Sequence, residues 1–348
     1  MAGLAQARSA NRRQNAGIDK SARMINYIIR RIGYGILVLM GVNLLTFVLF
    51  FGLSTTDDMA RMNIGGKRVT QDAIDKWKTE RGYDKPLLWN ASEQGHEKLT
   101  KTIFFERSVP LFVFEFGASD AGRDISYELK RRVWPSLALA LPTFLLGILV
   151  ILMMSLVLVF FKSTPLEFWG VAAMVFLMSI SGLFYIIVGQ FFFSKLLKLV
   201  PISGFAGGGA LLVFLALPVL IGILSRLGGE ALFYRSMFLE EIGKDYVRTA
   251  RSKGLSEPVV LFRHVLRNAL LPILTSTVSV IPLLFLGALI MESFFGIPGL
   301  GSFTIDAINA QDFAVVRSMV FLGAALYILG LILTDISYTW ADPRVRLG

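Results

Sequence analysis

From Glu240 to Pro272 the chain reads EEIGKDYVRTARSKGLSEPVVLFRHVLRNALLP, a basic, glycine-broken stretch lodged between two long apolar runs. Ile242, Tyr246 and Ala250 form an apolar stripe at helical spacing, while Arg248, Arg251 and Lys253 occupy the rest of the turn. Gly254 then stops the helix. Ser256 is placed to cap a second one, with Glu257 and Pro258 in its first turn and Val259, Val260, Phe262, Val265 and Leu266 as its apolar positions. The pattern predicts two short helices joined at a glycine, a knob suited to a cleft in another protein.

Working outward, the chain is too apolar for an ordinary soluble domain. Its 348 residues are 54% hydrophobic and 17% charged, against about 45–50% and about 25% on average. Apolar runs lie at 32–53, 134–161, 168–193, 210–223, 271–291 and 319–336. Most reach the roughly 20 residues that cross the hydrocarbon of a bilayer, so the sequence predicts an all-α integral membrane protein with about six transmembrane helices. The fourth run is short and contains Pro218, which leaves a re-entrant segment as its other reading. Between spans one and two lies an insertion, residues 54–133, whose Trp77, Tyr83, Trp89, Phe104, Phe105 and Phe112 among many charges predict a small ordered cap with a helix near Thr70 to Arg81.

Lys and Arg in the short flanks set the orientation. Arg8, Arg12, Arg13, Lys20, Arg23, Arg30 and Arg31 precede span one; Arg235, Lys244, Arg248, Arg251, Lys253, Arg263 and Arg267 follow span four; residues 292–316 carry none. This asymmetry places both termini in the cytoplasm and the insertion outside, the insertion being long enough to translocate despite Lys130, Arg131 and Arg132. Residues 1–31 read as a mobile cytoplasmic tail followed by an interfacial helix over Met24 to Arg31, with Ile25, Ile28, Ile29 and Ile32 on its apolar side. The formal charge of +10 then belongs to cytoplasmic loops and lipid headgroups, with no nucleic-acid-binding fold in view. Cys is absent, which excludes disulfides and thiolate chemistry in this chain.

The run DYVRTARSKGLSEPVVLFRHVLRNALLP resembles the cytoplasmic EAA-type loop of permease subunits of ATP-binding cassette (ABC) importers, in the branch that carries dipeptides, oligopeptides and nickel. NYIIRRIGYGILVLMGVNLLTFVL, DKPLLWN, FEFGASDAGRDISYELKRRVWPSLALALP, ESFFGIPGLGSF, DFAVVR and DISYTWADPRVRLG follow in that family's order. Arg248, Thr249 and Ala250 stand where the general motif has Glu, Ala, Ala, and the distance from Gly254 to Pro272 exceeds the general one. The resemblance implies a type I permease fold with a core over 134–348. It also implies a coupling loop at about 229–271, in which Tyr246, Arg248, Thr249, Ala250, Arg251, Lys253, Gly254, Leu255 and Ser256 meet the ATPase. The implied partners are a second related permease, two ATPase subunits that bind the ATP and Mg, and an extracytoplasmic substrate-binding protein. The implied location is the cytoplasmic (inner) membrane, and the cargo short peptides, or alternatively nickel chelates or peptide-like antibiotics.

The residues themselves argue against enzymatic chemistry. No G-x-x-x-x-G-K-[ST] occurs, and Gly65, Gly66 and Lys67 are followed by Arg68, so nucleotide phosphates have no cradle here. Gly296, Gly299 and Gly301 read as turn glycines beside Pro298. His96 and His264 are the only histidines and fall on opposite sides of the membrane, so no metal or triad site is expected. An ion-coupled secondary transporter is the alternative of another class, and it needs ionisable groups at depth. The central stretches as delimited above hold none: Glu167, Glu292 and Asp335 sit at span ends. The interior polar groups Ser179, Ser181, Gln190, Ser276, Thr277 and Ser279, with Asn43, have both a helix-packing reading and a reading as translocation path.

Overall fold

Helices account for the ordered elements of the computed structural model, which describes residues 2–53, 55–65 and 69–341. In order they are α1 (Ala2–Leu53), α2 (Thr56–Ile64), α3 (Gln71–Arg81), α4 (Glu97–Thr100), α5 (Ile103–Ser108), α6 (Ile125–Phe160), α7 (Pro165–Ser179), α8 (Gly182–Gly189), α9 (Ala210–Ile242), α10 (Asp245–Ser252), α11 (Glu257–Val259), α12 (Leu266–Val278), α13 (Leu289–Phe295), α14 (Leu300–Asn309) and α15 (Phe313–Ala341). Four stretches are long and apolar enough to cross a membrane, namely Tyr27–Gly52 of α1, all of α6 and α9, and Phe313–Ser337 of α15. Two bent pairs, α7 with Gly182–Leu196 at 91° and Ile281–Phe295 with α14 at 68°, bring the number to six. The chain is an all-α, multi-pass membrane protein.

Three expectations need correction. The fourth run is not the weak one: α9 continues unbroken for 33 residues through Pro218, because a single lost backbone bond is tolerated where neighbouring helices enclose the turn. The broken spans are the third and fifth. Span three bends at Ile180, where Ser181 accepts a bond from the Phe184 N–H and so starts a fresh helix. Span five divides into α12, a 3-10 turn over Ile281–Leu286 and α13, with Pro282 lacking a donor and Gly287 at φ +76°. At the N-terminus no break separates Met24–Arg31 from span one; both belong to α1, since nothing between Arg31 and Leu53 interrupts a helix.

The long helices pack through small residues, as bilayer helices do. α6 and α9 lie side by side in the same direction, with Gly222 against Thr143, Gly147 against Ile223, and Ser155 Oγ 3.0 Å from the Ala231 carbonyl. Gly228 lets α9 touch the backbone of α7 at Met174 and Met178. α1 and α15 run antiparallel, joined by Arg31–Asp335 at 2.9 Å near one end and Phe50–Phe313 rings at 5.3 Å near the other.

The insertion is an ordered cap. Thr55 and Asp58 close a reciprocal N-terminal box on α2, and α3 begins one residue after the expected start, with Gly82 at φ +67° ending it. Met59, Ala60, Ile74, Trp77, Tyr83 and Ile103 share a core with Phe47 and Phe51 of α1. The cap stops short of residue 133, because Asp124 caps α6 and its first turns belong to the insertion sequence. It is fastened to α15 by a buried polar cluster. Tyr83 O–H donates to Asp120 at 2.7 Å, the Ala314 N–H donates to the same carboxylate at 3.2 Å, and the Asp120 N–H donates to Asp312 at 3.0 Å. Burial, with the Asp312 charge adding to it, pushes the Asp120 carboxyl up. Arg317 donates to Ser108 Oγ at 2.6 Å and lies 5.3 Å over the Phe47 ring.

Candidate functional site

The loop after α9 is folded on itself. Lys244 is extended, the Val247 N–H returns to its carbonyl at 3.1 Å, and α10 begins with Asp245 in its first turn. Gly254 adopts φ +77°, which only glycine takes without strain, and lets the Leu255 N–H reach the Ala250 carbonyl at 3.4 Å. Arg251 then grips Glu257 with two bonds, 2.7 and 3.1 Å, across the turn. Tyr246 O–H donates to Glu241 at 2.5 Å; burial and that bond push its pKa up to about 12, so it stays a donor.

Burial divides the residues that the sequence assigned to coupling. Arg248, Thr249, Arg251, Lys253, Gly254, Leu255 and Ser256 are exposed, Tyr246 is half-buried, and Ala250 is buried. Ala250 and Val247, which the sequence reading did not single out, pack against α9 and the start of the fifth segment together with Phe238, Val260, Leu261 and Val265. Ala250 therefore helps to hold the loop against the bundle. The second helix of the expected knob is also different. Ser256 stands at its N-cap without a side-chain bond, α11 is one turn, and it runs through a π-helical turn, Val260–Val265, straight into α12. Between α10 and that turn lies an open groove of about 470 Å³ lined by Tyr246, Thr249, Ala250, Lys253, Leu255, Arg263 and His264.

The expected path residues do not converge. Ser179 bonds its own helix at the Val175 carbonyl, Ser181 caps α8, Thr277 bonds the Ile273 carbonyl, and Ser279 is half-buried beside Gly330. Gln190 ties the loop after α8 to α13, donating to the Ile202 and Phe294 carbonyls at 2.9 and 3.1 Å. Ser276 has its side chain outside the described residues.

A different cavity lies between α6, α9 and the 3-10 turn, about 240 Å³, lined by apolar side chains with Thr143, Ser225 and Arg226. Arg226 Nε donates to Glu230 at 2.7 Å. α9 runs on past Ile223, where the apolar run ends, and so carries Arg226 and Glu230 within the same helix.

Glu292, which the sequence placed at a span end, is fully buried. It accepts bonds from the Ala288 N–H at 3.0 Å and the Ser302 N–H at 3.1 Å, beside Ser136, which accepts from the Leu300 N–H at 2.7 Å. The carboxylate fills the space that a side chain at Gly287 or Gly299 would need, while a side chain at Gly301 would meet the backbone of Ala288 and Leu289 and Gly296 sits at φ +62°.

The comparisons with known proteins agree with this architecture. The family described as "Binding-protein-dependent transport system inner membrane component" matches residues 132–347, and its N-terminal companion, "Binding-prot-dependent transport system membrane comp, N-term", matches residues 24–147. A putative peptide transport system permease protein of Brucella abortus is 33% identical over 337 residues, covering 93% of this chain and 99% of that one. The di/tripeptide transport system permease protein DppB of Pseudomonas aeruginosa is 31% identical, covering 93% and 99%. The oligopeptide transport system permease protein AppB of Bacillus subtilis is 38% identical over 132 residues, 38% of this chain. With six apolar segments, a cap on one end and a folded basic loop on the other, the chain belongs to the family of inner membrane components of binding-protein-dependent transport systems.

Proposed function

We propose that this chain is a membrane-spanning permease subunit of an ATP-driven importer of short peptides in the cytoplasmic membrane. Similarity across 93% of the chain to proteins named as peptide transport permeases carries the reading. The chain itself is not the enzyme: ATP and Mg belong to two partner ATPases, and a second related permease and an extracytoplasmic binding protein complete the assembly. The loop built on α10 is the coupling element. Its exposed Arg248, Thr249, Lys253, Leu255 and Ser256, with Tyr246 at the rim of the groove, meet the ATPase, while Ala250, Gly254 and the Arg251–Glu257 pair hold the loop in shape. ATP-driven closure of the ATPases moves the loop and with it α9, exchanging inward-open and outward-open states. A nearly complete exchange needs about 5.5 kcal/mol of preference for one state.

Both termini and the loop are cytoplasmic in this reading and the cap lies outside, as the Lys and Arg asymmetry supports. Reporters fused after Thr100 and Ser302 are expected to be external, and those after Lys253 and Gly348 internal; a cytoplasmic Thr100 fusion overturns the orientation.

Growth tests the cargo. A strain lacking this chain is expected to lose use of di- to oligopeptides as the sole source of a required amino acid, and to resist toxic peptides. Unchanged peptide uptake with loss of nickel-dependent enzyme activity moves the cargo to nickel chelates.

A further inference from the structure

Arg226 and Glu230 stand close to the middle of the bundle. Gly147, at the centre of the α6 apolar run, faces Ile223, and Arg226 follows three residues on, about 5 Å further along α9 at 1.5 Å per residue. The Glu167–Arg235 pair, by contrast, lies nearer the loop end of the bundle, Arg235 being about 14 Å beyond Arg226 along α9. A charge at Arg226 therefore carries the cost of membrane depth unless it faces water or a partner.

Pairing alone does not account for it. Arg226 precedes Glu230 by four residues, the less favourable order for an ion pair along a helix, and such pairs contribute only about 0.2–0.5 kcal/mol. An apolar pair at these positions is at least as stabilising in a low-dielectric bundle. Moreover, the two side chains are 38% and 31% exposed, so neither is sealed into the core. Arg226 lines the 240 Å³ cavity with Ser225 and Thr143; Glu230 does not. The hydroxyls of Ser225 and Thr143 donate back to Gly222 and Leu139 carbonyls and keep their lone pairs for a ligand or water. Glu230 engages Nε, and among the described residues the two Nη nitrogens have no acceptor, a fork that suits a carboxylate.

We propose that Arg226 is a transient binding site for the substrate's carboxylate, the free C-terminus of a peptide, on its way through the membrane. This rests on the reading of the chain as a peptide permease. Glu230 holds the guanidinium when the path is empty and is displaced in part as the carboxylate arrives. The exchange of one carboxylate for another keeps the local charge near neutral, so the ligand is drawn in without being trapped, as a path requires weak, reversible sites. Arg226 is on this view a specificity residue. Peptides with a free C-terminus pass it with help, and those with a blocked one pass without.

The absence of Cys makes a direct test available, because Ser225→Cys supplies the only thiol of this chain. In membrane vesicles holding the assembled importer, that thiol is expected to react with a sulfonate-bearing methanethiosulfonate about threefold or more faster, relative to free thiol, than with the trimethylammonium analogue, since the cavity presents the cation of Arg226. Adding Arg226→Gln is expected to erase the preference and Arg226→Lys to keep it. In transport, Arg226→Gln is expected to lower uptake of a free dipeptide about tenfold, the loss of a charge-assisted bond, with Arg226→Lys falling between. A thiol that is unreactive or indifferent to reagent charge, or Arg226→Gln uptake equal to wild type, overturns the proposal while leaving the peptide reading intact. Failure of the wild-type importer to take up any peptide sinks that reading, and a charge-selective thiol still establishes an electropositive path. If Arg226→Gln does not accumulate, the reagent preference measured with native Arg226 decides.

Discussion

Glu292→Ala is expected to cost about 3–5 kcal/mol of stability, enough to remove most of the folded chain from the membrane. The carboxylate satisfies the Ala288 and Ser302 backbone donors at once and sits beside Ser136, and the side chains of Glu292, Ser136 and Ser302 are buried. Each buried donor left without an acceptor costs about 1–3 kcal/mol, and a void adds to it. Glu292→Gln keeps the volume and one acceptor oxygen but turns an amide donor towards an N–H, so it is expected to fall between the two. The measurement is the thermal midpoint of detergent-solubilised protein for all three, read by loss of monodisperse protein on heating. An alanine variant that melts with wild type removes the structural role assigned to Glu292.

The second large effect is expected in the loop, and the structure separates two kinds of failure. Arg248 is exposed, with a long 3.7 Å contact to Asp245, so Arg248→Glu is expected to leave the fold intact and to put the wrong charge on the face proposed to meet the ATPase. Transport is expected to drop about tenfold or more with normal accumulation of the chain, since a misplaced charge in a docked interface costs several kcal/mol. Ala250→Glu acts differently. Ala250 is buried among Phe238, Val260 and Leu261, so a carboxylate there breaks the packing of the loop itself and lowers accumulation as well. Arg251→Glu also acts from within, by setting two carboxylates against each other at Glu257. Co-purification of the ATPases with each variant and uptake by intact cells are the two readouts. Wild-type uptake by Arg248→Glu makes the outer face of α10 an ordinary solvated surface.

Much of the architecture was legible because the signals were local. The apolar runs mark α1, α6, α9 and α15, and Thr70 and Gly82 bracket α3 almost to the residue. What escaped depends on where a helix ends and which way it turns. The bend before α8 has a sequence signal in Ser181 and Gly182, but the serines there suit a polar path as well as a cap. Arg226 was missed because falling hydropathy past Ile223 looks like a span end, whereas the helix persists on packing at Gly228 against α7. The stripe of Ile242, Tyr246 and Ala250 is apolar for an internal reason, contact with α9 and α12, which spacing alone cannot distinguish from a docking face. Glu292 was invisible in kind, since its partners Ser136 and Ser302 are separated by 166 positions in the chain and meet only in the fold.

The uneven quality of the helices has a mechanical consequence. α6 and α9, with 36 and 33 residues and continuous through Pro135 and Pro142 of the one and Pro218 of the other, are each about 50 Å of rod, locked to one another and to α7 by close glycine contacts. Compliance is concentrated elsewhere: at the 91° elbow before α8, in the π-helical turns Gln190–Leu196 and Val260–Val265, and at the 3-10 turn ending in Gly287. Torque applied at the loop end is therefore delivered along the full length of the chassis with little loss. Deformation appears in the weakened segments that line its flanks, much as a beam transmits load to the joints around it.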